Sequence, residues 1–317
     1  MLRRLLILVL AALAAFALAA PAGAAPVFPT GLRVGLAIPP GLVASKRFPG
    51  FEDAKHRVAV AILELPGQAY DKLMKSGFVR QTRGLNAVSK ADFAIAGGSG
   101  YLISGTNTVN GQSAHHWFLL AKPKAGDKSK GTAITGLVRI DVPDAARTIY
   151  TDAVVRKMLA STDFRPTPTQ ELLGLLPFKV GDLAGFRVAH IIPGSVILTD
   201  SPAEQGNKIA PPYMIVMIGR GGPRDDALRE TFVRDMLRNG PLNDVRVTSS
   251  DKIRVDRAPT LEVRADATDP SGKPVRVVQW VRFGTGGFMR VVGISPKDDW
   301  DKLFSRFRAV RDGVEPR

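Results

Sequence analysis

Val58-Ala59-Val60-Ala61-Ile62-Leu63 and Pro212-Tyr213-Met214-Ile215-Val216-Met217 are two apolar runs that lie 154 residues apart in the chain. The same offset aligns an earlier pair of segments, Gly31-Leu32-Arg33-Val34-Gly35-Leu36-Ala37-Ile38-Pro39-Pro40 and Gly185-Phe186-Arg187-Val188-Ala189-His190-Ile191-Ile192-Pro193-Gly194. In this earlier pair Gly, Arg, Val, Ile and Pro are identical in register. Each apolar run is followed by a segment with turn-forming Gly or Pro and then by a helical segment. Each half ends with another helix. Matched segments in a matched order indicate an internal duplication.

A proline-containing segment marks the boundary between the two halves. Asp163-Phe164-Arg165-Pro166-Thr167-Pro168-Thr169 contains two prolines that cannot continue the helix before them. We therefore predict a first domain over residues 25–165 and a second domain over residues 166–317, after an N-terminal segment, 1–24, that has a different character.

The second half has the pattern of an antiparallel sheet. Thr260-Leu261-Glu262-Val263-Arg264 alternates with period two, and so does part of the segment 275–283. Asp269-Pro270-Ser271-Gly272 and Gly284-Thr285-Gly286-Gly287 supply the proline and glycine that tight turns require. Alternation with hairpin-length turns predicts an α+β fold of two tandem domains, each an antiparallel β-sheet flanked by helices.

The first half carries a further motif, Phe-Pro-Gly-Phe-Glu-Asp at 48–53. It precedes a strand that ends Glu64-Leu65-Pro66 and a helix that opens near Ala69-Tyr70. In this order of elements the chain resembles the PsbP-like family, as two copies that cover nearly all of the chain after residue 24. The second half lacks the Phe-Pro-Gly-Phe stretch. The resemblance implies a PsbP-like sandwich in each half and, by analogy, a binding or assembly role, because a fold does not specify a function.

The N-terminal segment has the three-part layout of a secretory signal peptide. Met1-Leu2-Arg3-Arg4 is basic, residues 5–20 are an unbroken apolar run, and Ala22-Gly23-Ala24 supplies small residues for cleavage. We therefore predict an exported protein, periplasmic or secreted. As a helix the apolar run would span roughly 24 Å, short of a hydrocarbon core of about 30 Å; an uncleaved anchor stays open. We expect no membrane span after cleavage.

The chain is strongly basic, with 44 Lys and Arg against 29 Asp and Glu, and it contains no cysteine. Its formal net charge of +15 suits contact with an acidic envelope protein or an anionic envelope surface. A generally basic proteome would explain the same charge. Export and the lack of an aromatic-interleaved basic motif argue against nucleic acid. Without cysteine, no disulfide contributes to the fold.

One segment concentrates lysines. Lys122, Lys124, Lys128 and Lys130 fall within a predicted hairpin loop over residues 121–131, and they are the candidate contacts to an anionic surface. Each lysine near such a surface contributes about 1 kcal/mol of binding free energy. The alternative is a solvated turn whose lysines discourage pairing at a sheet edge.

The histidines do not form a recognisable site. His115 and His116 lie in a strand-like run, so their side chains should point to opposite faces of the sheet and should not share one metal ion. No Gly-x-Ser-x-Gly motif for nucleophilic hydrolysis is present either.

The acidic and glycine-rich segments do not form a recognisable site either. Residues 219–226 follow a strand and precede a helix, as a phosphate-binding loop does, but Arg224 replaces the third glycine. The pairs Asp225-Asp226 and Asp298-Asp299 open helices and are explained as caps, which leaves only Glu52-Asp53 unexplained. We predict no catalytic residues, no cofactor and no metal site.

These observations favour an exported, non-enzymatic binding or assembly protein of the cell envelope. Two alternatives stay open. One is a peripheral binder of anionic envelope surface, lipid or acidic glycan, and the other is an enzyme whose site the sequence does not reveal. The sequence does not determine the oligomeric state.

Overall fold

The computed structural model describes residues 24–76, 83–109, 111–126, 133–202 and 209–317. Apart from Ala24, the predicted signal segment 1–24 lies outside these residues. The chain divides into two compact units between Pro168 and Thr169. No helix within the described ranges has both the length and the apolar character needed to cross a membrane.

The first unit is built on one large sheet. Its elements are β1 (Val34–Gly35), β2 (Val43–Ala44), β3 (Gly50–Asp53), β4 (Val58–Pro66), α1 (Ala69–Lys75), β5 (Asn86–Ile95), β6 (Gly98–Val109), β7 (Gln112–Pro123), β8 (Ile134–Pro143), a 3-10 turn (Asp144–Ala146), α2 (Asp152–Ala160) and β9 (Asp163–Phe164). Seven strands pair antiparallel in the order β2-β3-β4-β8-β7-β6-β5, and β1 pairs with β9 in a separate ribbon.

The second unit repeats this plan. Its elements are α3 (Thr169–Gly174), β10 (Phe178–Val180), β11 (Arg187–Ile192), β12 (Ser195–Thr199), β13 (Tyr213–Arg220), α4 (Asp226–Arg238), β14 (Asn243–Val255), β15 (Ala258–Thr268), β16 (Pro274–Gly284), β17 (Gly287–Pro296), a 3-10 turn (Lys297–Asp299), α5 (Trp300–Asp312) and β18 (Val314–Pro316). The sheet order is β11-β12-β13-β17-β16-β15-β14, and β10 pairs with β18. The predicted α+β fold, with an antiparallel sheet flanked by helices in each half, is confirmed.

Both faces of each sheet are covered, which explains why the central strands are nearly continuous in apolar residues. In β7 the run Trp117-Phe118-Leu119-Leu120-Ala121 is buried at every position. Trp117 and Leu119 belong to the core beneath α2, whereas Phe118 and Leu120 pack with Tyr70 of α1 on the opposite face. A strand buried on both sides loses the polar alternation that a half-exposed strand shows.

The structural repeat agrees with only one of the two sequence alignments. Residues 58–63 lie in β4 and 212–217 in β13, which occupy the same position in the two sheets. The segment 31–40, however, contains β1, whereas 185–194 contains β11 at the edge of the large sheet. The topological counterpart of β1 is β10. That alignment was wrong because the second unit has a longer chain between its first strand and its central strand, so a fixed offset loses register there.

The Phe-Pro-Gly-Phe motif places a glycine at a close approach of two strands. Gly50 begins β3 with φ of +140°, and a β-carbon added there would lie 1.9 Å from the main-chain oxygen of Val60. Only glycine fits because both the backbone conformation and the space exclude a side chain.

We expect Gly50→Ala to lower the free energy of unfolding by about 3 kcal/mol or more, because strand β3 must move away from β4. The control is Gly84→Ala. Gly84 also has a positive φ, of +80°, but nothing lies within 4 Å of an added β-carbon, so the cost should be about 1 kcal/mol. Urea unfolding followed by circular dichroism measures both. Equal losses would show that the contact with Val60 is unimportant.

Candidate functional site

The predicted lysine loop is only partly described by the structure. Lys122 lies near the end of β7, where its ammonium group sits 4.2 Å from the centroid of the Tyr70 ring. Lys124 is exposed just after the strand. Lys128 and Lys130 lie outside the described residues. Surface contact by these four lysines therefore stays a prediction.

The two adjacent histidines point to opposite faces of the sheet, as predicted. The His115 ring stacks on Trp117 with centroids 4.0 Å apart, and burial together with the nearby charge of Arg147 lowers its pKa. On the other face, His116 contacts Asp141 through Nδ1 and Asn107 through Nε2. Both ring nitrogens of His116 thus have structural partners. Within the described ranges, no three or more His, Cys, Asp or Glu side chains come together as a potential metal site.

The acid pair Glu52-Asp53 also has structural partners. Glu52 accepts hydrogen bonds from the Ser45 hydroxyl and the Arg47 guanidinium. Asp53 contacts His56 Nδ1 at 2.6 Å and accepts the Tyr150 hydroxyl at 2.7 Å. The hydrogen bonds from His56 and Tyr150 lower the pKa of Asp53 to about 2. This carboxylate ties the turn after β3 to the chain before α2.

The helix-opening acid pairs differ from each other. Asp225 caps α4 as predicted, since its side chain accepts the amide of Ala227 at 2.9 Å, and Asp226 pairs with Arg229. The capping explanation of Asp298-Asp299 was wrong: Asp299 makes no side-chain cap hydrogen bond. There α5 continues directly from the preceding 3-10 turn, which leaves no extended residue in cap geometry.

A buried carboxylate in the second unit organises a group of basic residues. Glu262 of β15 is 5% exposed. It accepts the indole N–H of Trp280 at 2.6 Å, pairs with Arg264 at 2.6 Å and lies 3.8 Å from Arg311. A buried carboxylate requires such partners, because an unpaired charge in a dry interior is strongly unfavourable.

Aromatic rings hold the same arginines in place. Phe304 of α5 stacks between Trp300 and Trp280, at centroid distances of 5.2 and 6.2 Å. The Arg264 guanidinium lies 4.4 Å from the Phe304 ring, and that of Arg311 lies 4.9 Å from the Trp280 ring. These cation–π contacts fix the planes of two guanidinium groups and leave some of their five N–H donors free for a ligand.

The two arginines border a groove of about 570 Å³ between α5 and the strands β14 and β15. Its lining residues are Asp251, Lys252, Ile253, Arg254, Glu262, Arg264, Phe304, Arg308 and Arg311. Five of these residues are basic and two are acidic, so the lining carries a net charge of +3. Arg308 is exposed and has no carboxylate partner among the described residues. We take this basic groove as the candidate functional site.

The sequence pattern does not predict this groove. The residues lie on three elements separated by up to about 60 positions, and the half of the chain with fewer excess positive charges contains them. The available signals were local: Lys252 and Arg254 at strand spacing, and Phe304, Arg308 and Arg311 at helical spacing. Neither spacing indicates that the strand and the helix meet.

We expect stability to report the pairing of Asp53 with its partners. A carboxyl whose pKa is about 2 in the folded chain and about 3.9 in the unfolded chain stabilises the fold fully above the unfolded value, and this stabilisation is lost as pH falls from about 4 to 2. Asp53→Asn should therefore be less stable at pH 7 and should lose less stability on acidification. Urea midpoints at pH 7, 4 and 2.5 measure this. The exposed Asp71→Asn should keep the original slope, and an unchanged slope in Asp53→Asn would contradict the prediction.

We expect Glu262→Gln to lower the free energy of unfolding by about 3 kcal/mol, because the amide keeps an acceptor for Trp280 but leaves Arg264 without its anion and Arg311 with Asp312 alone. The matched control in the same unit is Glu230→Gln. Glu230 and Arg234 form an exposed pair on α4, so its loss should cost less than about 0.5 kcal/mol. Denaturant unfolding compares the two, and similar losses would show that the buried cluster adds nothing.

No protein-family model and no curated protein matches this chain. Similar solved structures include cyanobacterial PsbP (CyanoP) from Synechocystis sp. PCC 6803, at 11% identity and TM-score 0.30, covering 44% of this chain and 91% of CyanoP. LpqN of Mycobacterium tuberculosis, described as involved in cell envelope biogenesis, is 16% identical with TM-score 0.32 over 44% of this chain and 90% of LpqN. The immunity protein TplEi of the T6SS from Pseudomonas aeruginosa is 12% identical with TM-score 0.29 over 92% of this chain and 97% of its own. The PsbP-like resemblance of the sequence thus concerns the fold, and these similarities do not show a function.

Proposed function

We propose that this chain is an exported, non-enzymatic binding protein of the cell envelope, and that its second unit binds an acidic partner in the basic groove. The layout of residues 1–24 supports export. The observation that carries the binding role is the groove itself, which is lined by five basic residues from three elements.

The groove suits anion binding because its donors are already oriented. Arg264 is held by Glu262 on one side and by the Phe304 ring on another. Arg311 is held by the Trp280 ring and by Asp312. A ligand that meets such side chains does not have to order them, so less conformational entropy is lost on binding.

Arg308 supplies a charge that the fold itself does not use. It lies one helical turn after Phe304 and is exposed at the groove. Its guanidinium can pair with one carboxylate in two parallel hydrogen bonds without breaking a contact of the folded chain. Arg308 therefore contributes to binding while contributing little to stability.

The shape of the site favours a polymer segment over a lipid surface. The basic residues line a recess beside the outer strand of a sheet, whereas a bilayer would meet them best on a flat or convex face. A partner protein with an acidic segment fits this recess. Binding driven by net charge alone would not depend on the groove.

We expect the double variant Arg254→Gln/Arg308→Gln to bind immobilised polyglutamate about tenfold more weakly than the unchanged protein at low salt, since two charge contacts of about 0.7 kcal/mol each are lost. The control is Arg220→Gln/Arg224→Gln, which removes the same charge at exposed positions away from the groove and should bind normally. Thermal unfolding establishes that both variants are folded.

Two outcomes would overturn the proposal. Equal weakening in both double variants would show that binding depends on net charge and not on the groove. Binding to phosphatidylglycerol vesicles, but not to polyglutamate, would instead favour the peripheral surface role that the sequence left open.

A further inference from the structure

The groove lies beside an outer strand of the second sheet. Strand β14 is thirteen residues long and ends the strand order, with β15 as its one pairing partner among the described residues. Every residue of β14 is exposed or half-buried. An outer strand presents a row of main-chain N–H and C=O groups that a further strand can pair with.

The corresponding edge of the first unit is tied down differently. There the turn between β5 and β6 is held by the last residue of α2 and by the chain that follows it: the amide of Ala96 donates to Ala160 O at 2.8 Å, and that of Gly97 donates to Thr162 O at 2.9 Å. In the second unit, no main-chain hydrogen bond of the described residues joins the β14–β15 turn to the chain after α5. The main-chain hydrogen bonds that hold this end of the sheet in the first unit are therefore not repeated among the described residues of the second.

We propose that the acidic partner presents an extended segment that adds to β14 as an eighth strand. This inference rests on the proposed function and names the form in which the partner binds. Main-chain hydrogen bonds to β14 supply affinity, and the side chains of the added strand, which alternate between the two faces, supply specificity.

The charges around β14 match such a segment on both faces. Lys252 and Arg254 occupy alternate positions of the strand and share one face, whereas Ile253 lies on the other face, next to Phe304 and Arg308 in the groove. Acidic side chains at every second position would meet the two basic residues. The side chains between them would meet Ile253 and Phe304 in the groove, where a carboxylate at one of these positions can pair with Arg308.

The dimensions of the groove also fit an extended peptide. From Trp300 to Arg311 the helix α5 rises about 16 Å, the length of about five extended residues. A second recess of about 240 Å³ lies at the Trp300 end, and Arg264 lines both. The basic surface is therefore elongated along β14.

The same charges disfavour a second copy of this chain as the added strand. β14 carries three basic and two acidic residues, so its own copy brings a net positive charge to a positive edge. Like charges on paired strands are destabilising, whereas opposite charges are stabilising. The edge is thus protected against self-association and remains open to an acidic strand.

The test uses the whole protein and three forms of one ten-residue peptide of alternating Glu and Val. In one form all Glu residues are N-methylated, and in another all Val residues are. Since alternate residues of a strand direct their N–H groups to the same edge, for a given strand direction one methylated form cannot pair with β14 and the other can. We expect one form to bind at least about tenfold more weakly than the unmethylated peptide, and the other to bind about equally.

Amide hydrogen exchange gives an independent measure. The unmethylated peptide should slow exchange in residues 243–255 and leave the equivalent outer strand β5, residues 86–95, unchanged. Equal binding of all three peptides, still weakened by Arg254→Gln/Arg308→Gln, would overturn strand addition while leaving the proposed function intact. Failure of both the peptides and polyglutamate to bind would overturn the proposed function as well.

Discussion

The hydrogen bond from the Trp280 indole to the buried carboxylate of Glu262 is the contact on which the charged face of the second unit depends. A carboxylate in this position must be neutralised, and the nearest basic groups are Arg264 on its own strand and Arg311 on α5. Each guanidinium then lies against an aromatic ring. One buried acid thus determines where two arginines sit, and these arginines shape the groove that we propose as the binding site.

The first unit also contains an indole–carboxylate hydrogen bond, but its acid and its stacked ring come from different elements. Trp117, on the strand equivalent to that of Trp280, also donates its indole N–H to a carboxylate, that of Asp152 at 3.0 Å. Here the acid comes from α2 and not from the sheet, and the ring stacked on the indole is His115. This acid pairs with its own helical neighbour, Arg156. A shared fold therefore carries different surface chemistry in its two copies.

Helix length separates the two units as well. The closing helix α2 has nine residues, whereas α5 has thirteen. The four additional residues of α5 include Arg311, which lies against the Trp280 ring and lines the groove beside β14 and β15. In the first unit the end of the shorter helix and the chain after it accept hydrogen bonds from the β5–β6 turn.

By itself the sequence determined the features that depend on near neighbours: the antiparallel α+β fold, the match between residues 58–63 and 212–217, the cap at Asp225 and the opposite faces of His115 and His116. These follow from periodicity and turn chemistry, which act over a few residues. It misplaced the match of 31–40 with 185–194, because the chain between the first and the central strand is longer in the second unit, so one offset cannot align both pairs of strands. Only the tertiary structure decided that a strand carboxylate, two indoles and a stripe of helical arginines meet, because their convergence depends on strand order and on where the closing helix docks.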